Sequence, residues 1–205
     1  MQHHILTALP PTQIWKGKDH RTNTQPHIPS GFDALDKRIG GWPLGHLIEI
    51  SPKQTGIGEI SVLLPALAQL SRGTQRLLFV NPPYIPYAPS LFSKGVNISN
   101  ILVVQTDKLT EIVWAIEQAS RSKSCSAIIC WHTEANDQAI RRYQLALENQ
   151  KILGVLFTKP ALRKKNNPAP WRVIVREAQS QTWIDIPKRR GGGPISSIPL
   201  AHLNH

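Results

Sequence analysis

Ile48-Glu49-Ile50-Ser51-Pro52-Lys53-Gln54-Thr55-Gly56-Ile57-Gly58-Glu59 reads as a short apolar strand, a glycine-bearing turn and a carboxylate that opens a helix. The residues around it repeat this strand–helix rhythm. Leu77–Val80, Ile101–Val104, Ala127–Trp131 and Leu153–Phe157 are short apolar runs of the kind that sit buried inside a sheet. Between them, the stretches at about 59–71, 88–94, 108–121 and 135–149 read as helices. In the 108–121 stretch, Leu109, Ile112, Val113, Ile116 and Ala119 fall on one helical face. Strands alternating with helices predict parallel pairing through right-handed crossovers. The fold class expected is α/β, a mostly parallel sheet flanked by helices.

The rhythm changes near the C-terminus. Trp171–Arg176 and Thr182–Ile186 alternate apolar and polar residues around Ala178–Gln181, which predicts an antiparallel hairpin at the sheet edge. Residues 1–29, with prolines at 10, 11, 26 and 29, read as an extended N-terminal arm. Residues 30–188 form the core, with Ser30 the expected cap of a helix carrying Phe32, Leu35 and Ile39. Residues 189–205, with Gly191-Gly192-Gly193-Pro194, read as a mobile basic tail.

Composition narrows the function. The chain has 205 residues, 40% hydrophobic and 18% charged, and no apolar run of membrane-spanning length. The first residues lack a cationic-then-apolar signal, so the expected place is the cytoplasm, away from membranes. Two cysteines, Cys125 and Cys130, exclude a disulfide scaffold. Five residues apart on a strand, they are expected on opposite faces as buried hydrophobes. The eight histidines show no ligand spacing near them, so no metal site is expected. His132 reads as an ordinary polar strand exit, and Asp33 and Asp36 as a solvated face.

The net charge of +11 favours polyanions or acidic surfaces. From Lys159 onward nine Lys and Arg stand against two acidic residues, which supplies +7 of it. The clusters are Arg163-Lys164-Lys165 and Lys188-Arg189-Arg190. Two uses remain open for them: contact with a phosphate backbone, or with an acidic partner protein. Tyr84 and Tyr87, in a proline-stiffened loop, and Trp15, in the arm, are the candidate partner-binding aromatics. Trp114 and Trp131 have apolar neighbours and are expected in the core.

The turn at 51–58 has the spacing of a phosphate loop without its chemistry. Ser51 stands at the first glycine position and Gly56 keeps the second. Ile57 occupies the lysine position and Gly58 that of the magnesium-binding hydroxyl. Glu59 puts a carboxylate where phosphate would arrive. Lys53 lies in the loop, off the position that aims at the γ-phosphate. No bound cofactor is expected.

Ser30–Ile60 resembles the opening of the RecA ATPase core. More closely, the chain resembles the ImuA family of RecA-like translesion-synthesis proteins and the related SulA division inhibitors. Gly-Gly-Trp-Pro-Leu-Gly at 40–45, Gly-Ile-Gly-Glu at 56–59, Leu-Leu-Pro-Ala-Leu-Ala at 63–68, Pro-Tyr-Ala-Pro at 86–89 and Lys-Arg-Arg-Gly-Gly at 188–192 carry the likeness. The resemblance implies a RecA-like core. At its catalytic glutamate position stand Asn81-Pro82-Pro83, and at its magnesium-linked aspartate position stands Trp131. Phosphoryl transfer depends on such groups for positioning and charge neutralisation, so no ATPase activity is expected.

What the resemblance implies is a non-catalytic adaptor of the SOS response. Its partners would be an ImuB-like Y-family pseudo-polymerase, an error-prone DnaE-type polymerase and RecA filaments, with DNA contacted through the basic loops. The SulA likeness, in Leu63–Leu70, the 107–121 helix and the stretch from Gly154 to Pro160, implies the alternative of a division inhibitor that binds FtsZ.

Overall fold

The structure, a computed structural model, describes residues 26–53, 59–159 and 167–201. Its centre is an eight-stranded sheet in the order β10-β9-β8-β3-β7-β6-β4-β5. The strands are β3 (Leu47–Pro52), β4 (Arg76–Val80), β5 (Ile101–Val104), β6 (Cys125–Trp131), β7 (Leu153–Phe157), β8 (Trp171–Ala178), β9 (Gln181–Lys188) and β10 (Ile195–Leu200). From β5 across to β8 every pairing is parallel; β8–β9 and β9–β10 are antiparallel. A two-stranded ribbon, β1 (His27–Ile28) with β2 (Trp42–Pro43), flanks the entry to β3.

Helices cover both faces, as parallel strands require. On one face α1 (Asp33–Ile39) and α2 (Leu64–Leu70) enclose Ile48, Ile50, Leu77, Phe79, Ile129, Val155, Val173 and Ile184. On the other, α4 (Leu109–Ser122) and α5 (Asp137–Leu147) pack Ile112, Val113, Ile116, Ile140 and Tyr143 onto Leu78, Val80, Ile128 and Leu156. A short α3 (Ala88–Ser93) links β4 to β5. The two-residue turn between β8 and β9 holds Gln179 and Ser180 at φ 53° and 56°, the doubly left-handed turn whose twist matches a hairpin.

Several local expectations are corrected. Ser30 does not cap α1: Phe32 is the capping residue, and the Ser30 hydroxyl accepts from the Phe32 N–H at 3.1 Å. The carboxylate of Asp36, expected in solvent, accepts the Ser30 N–H at 2.9 Å, so it ties the lead-in to the helix. The helix expected from 59 begins as a 3-10 turn, Glu59–Leu63, and becomes α-helical at Leu64. Pro65 in the first α-helical turn lacks the N–H that an unbroken helix would need.

The hairpin does not form the edge. β8 pairs with β3 inside the sheet, and β10 takes the edge position. Part of the tail expected from 189 is therefore structural: Ile198 and Leu200 are buried against β9. At the other boundary, Ile28 is buried and β1 pairs with β2, so the compact unit begins before residue 30. Trp15 and the rest of residues 1–25 lie outside the described residues.

The cysteines share one face. Arg76 pairs with Cys125 but Leu77 pairs with Ala127, so Ser126 is an extra residue in β6. That bulge shifts the side-chain alternation by one, and both thiols enter the α4–α5 core. Trp114 is also relocated. It stands on the outer side of α4 at 62% exposure, because Val113 and Ile112 take the core-facing positions.

Candidate docking site at the carboxyl ends of the strands

In open α/β sheets ligands meet the carboxyl ends of the strands. Strand β3 ends at Ser51 and Pro52. Thr158, just past β7, donates to Glu49 Oε1 at 3.2 Å, and the Ser51 hydroxyl lies 2.7 Å from the Thr158 hydroxyl. Arg172 Nε on β8 completes the group, donating to Glu49 Oε2 at 2.7 Å. Ser51, Glu49 and Thr158 are all buried. Ser51 is therefore turned into the sheet's polar interior. Lys53 closes the strand by donating its N–H to the Val175 carbonyl. Gly56, Ile57 and Gly58 lie outside the described residues.

At the end of β6, Trp131 stacks on Phe157 with ring centres 5.2 Å apart and meets the edge of Phe79 at 5.6 Å. Where the resemblance places a magnesium-linked carboxylate, the chain has a half-buried aromatic wedge joining three strands. Such pairs stabilise by about 0.5–1.5 kcal/mol each beyond their buried area.

At the end of β4 the backbone turns sharply through Asn81, at φ 52°. Its side chain makes this turn rigid. The amide donates to the Thr106 carbonyl at 2.7 Å, and its oxygen accepts the Thr106 N–H at 2.8 Å. Gln105 adds a bond to the Pro82 carbonyl at 3.0 Å. From this anchored base the segment Pro83–Tyr87 projects outward. Tyr84, Ile85 and Tyr87 are 85%, 91% and 71% exposed, and Phe92 on α3 joins them at 70%. Two features escaped the sequence reading, namely Ile85 and Phe92. The signal was present: both interrupt the local burial pattern, and Leu91 alone satisfies the core contact of α3.

The basic residues are dispersed. Arg163, Lys164 and Lys165 lie outside the described residues. Lys188 donates to the Asn167 carbonyl at 2.9 Å, and Arg189 donates to the Gly193 and Arg38 carbonyls at 2.8 and 3.5 Å. Lys188 thus ties the end of β9 to the residues before β8, and Arg189 ties the turn after β9 to α1. Since β9 runs antiparallel to β8, this cluster sits at the opposite end of the sheet from Tyr84. Arg190 is exposed.

His132 Nδ1 and the Tyr143 hydroxyl are hydrogen-bonded to each other at 2.8 Å. Burial pushes the imidazole below its ordinary value, against Glu134, and pushes the phenol above its own. The neutral ring is thus a packing partner for a phenol that keeps its proton. Burial raises the Cys125 thiol and pushes the Cys130 thiol up to about 12. Because the folded values lie above the unfolded ones, the stabilisation is complete below about pH 8.5 and is lost as pH climbs toward 12. Native protein at pH 8 is expected to leave both thiols unlabelled by a disulfide reagent within minutes, and urea-unfolded protein to label both at once. Among the described residues no three His, Cys, Asp or Glu are grouped to hold a metal, and no helix is long and apolar enough to cross a membrane.

Comparison with known proteins gives a partial relationship. No family model matches the chain. RecA of Picosynechococcus sp. is 29% identical over 103 residues, which is 50% of this chain and 29% of that protein. RecA of Porphyromonas gingivalis is 31% identical over 106 residues, again 50% of this chain and 30% of that protein. RecA of Enterococcus gallinarum is 34% identical over 85 residues, 39% of this chain and 23% of its own. The crystal structure of SulA from Pseudomonas aeruginosa overlaps 55% of this chain and 97% of its own, at 19% identity and a TM-score of 0.45. The chain thus spans less than a third of the length of the curated relatives it matches, and half of it is similar in sequence to RecA.

Proposed function

We propose that this chain is a non-catalytic, RecA-like adaptor of the SOS response that supports error-prone translesion synthesis. It would bring an ImuB-like pseudo-polymerase and a DnaE-type polymerase together, with RecA filaments or DNA as the site of assembly. One observation carries the reading. Where a RecA-like motor needs acidic groups, this chain packs Trp131 between Phe79 and Phe157 and roots a rigid loop at Asn81 that presents Tyr84, Ile85 and Tyr87 to solvent. An exposed cluster of large apolar side chains on an anchored backbone suits protein docking, since less entropy is lost in ordering the loop. The motif likeness at 40–45 and 188–192 supports the translesion context.

Purified protein is expected to release no phosphate from Mg·ATP above a protein-free control, with or without DNA. Turnover that disappears on replacing Lys53 would refute the non-catalytic assignment. Co-purification of the full chain with the two polymerase-type partners tests the adaptor role directly. Elongated, undivided cells on overexpression, with capture of the tubulin-like protein FtsZ, would instead assign it to division inhibition.

A further inference from the structure

A cleft of about 340 Å³ opens at the end of the sheet opposite the Tyr84 loop. It is enclosed by the turn leading into β3, the residues following α5 and the residues following β9. His46 lines it and is almost wholly buried, its Nδ1 3.4 Å from the Gln144 amide nitrogen. Lys151 and Arg190 line it too, and neither forms an ion pair among the described residues. Among the described residues Glu148 is the only carboxylate in the lining.

The charge balance decides what fits. Two fixed cations against one carboxylate leave a surplus of one positive charge. The C-terminal end of α5 points here and offsets about half of that. Burial holds His46 below its ordinary value, with Arg190 and His27 adding to the effect and Glu148 opposing it. The imidazole is therefore neutral in the empty cleft, and an arriving anion reverses the balance by favouring its protonated form. The donors are varied in shape: a guanidinium, an ammonium and the side-chain amide of Asn149. A carboxylate would use two of them, whereas a phosphoryl group offers three acceptor oxygens and about −1.5 to −2 charges.

We propose that this cleft is a phosphoryl-binding site, separate from the degenerate phosphate loop and built from Lys151, Arg190 and His46. Its volume exceeds that of one phosphate and admits a pyrophosphate or the phosphorylated end of a nucleic-acid strand. The inference does not rest on the docking loop of the adaptor reading, which lies at the other end of the molecule.

Calorimetric titration of the full chain with pyrophosphate tests it. Binding is expected in wild type, with at least a tenfold loss in the double variant Lys151→Ala, Arg190→Ala and a several-fold gain in Glu148→Gln. Lys53→Ala, at the opposite end, is expected to bind as wild type. No binding at millimolar pyrophosphate, binding that survives the double variant, or binding lost in Lys53→Ala would each overturn the site. Circular dichroism melts of each variant separate lost binding from lost folding. A single strand with a 5′-phosphate, compared with the same strand bearing a 5′-hydroxyl, identifies the source. A preference abolished by Arg190→Ala points to a nucleic-acid end, and equal binding in the presence of a pyrophosphate site points to free phosphates.

Discussion

Arg172→Ala is expected to lower the unfolding free energy by about 3–5 kcal/mol, the cost of leaving one partner of a buried ion pair unmatched. The reason is geometric. Glu49 is 4% exposed and Arg172 14%, with 2.7 Å between their atoms. Glu49 also accepts from Thr158, so removing the guanidinium leaves a carboxylate with one hydroxyl for company in the middle of the sheet. Chemical denaturation of wild type and variant measures the difference. The companion experiment replaces both partners by apolar residues, Glu49→Leu with Arg172→Met. That variant is expected to recover most of the loss, because desolvating a pair offsets much of its attraction. A single variant no less stable than wild type would show that the pair is solvated in solution. The group joins β3, β7 and β8, so its loss is also expected to loosen the seam between the parallel strands and the antiparallel ones.

The second large effect concerns binding. Replacing Tyr84, Ile85 and Tyr87 together by alanine is expected to weaken capture of the polymerase-type partner by at least ~30-fold, since one interface hot spot contributes about 2 kcal/mol or more. Stability should stay within about 0.5 kcal/mol of wild type, because these side chains are exposed and touch little of the core. The two readouts separate docking from folding. Unchanged capture would remove the loop from the interface and leave Trp114 or the basic residues as the next surface to test. Asn81→Ala is a useful companion: it keeps the aromatics but deletes their anchor to Thr106. Weaker capture with the aromatics intact would mean that rigidity, as well as apolar area, contributes to affinity.

The parts of the fold that were legible share a cause. Leu77–Val80 and Leu153–Phe157 announce themselves because strands buried on both faces must be apolar throughout, and α4 because its apolar residues recur at the helical period. The missing lysine and hydroxyl at positions 57 and 58 are matters of residue identity, and those residues lie outside the described ones. What failed depended on which face of an element the folded core would take, or on which carbonyl a side chain would reach. Trp114 was expected inside because its neighbours are apolar, yet α4 has room for one buried stripe and Ile112, Val113 and Ile116 fill it. Lys188 and Arg189 look like free cations in sequence but are held by carbonyls of Asn167, Gly193 and Arg38.

Sequence alone determined that this chain alternates strands and helices, carries an excess of basic groups and lacks the residues of a working phosphate loop. Those are properties of spacing and residue type, set within a few positions of one another. Only tertiary structure decided that Glu49 would meet Arg172, that one inserted residue at Ser126 would turn both thiols to the same face, and that Ile195–Leu200 would close the sheet. Each depends on which strands become neighbours, and strand pairing is chosen by the burial of the whole core rather than by any local pattern.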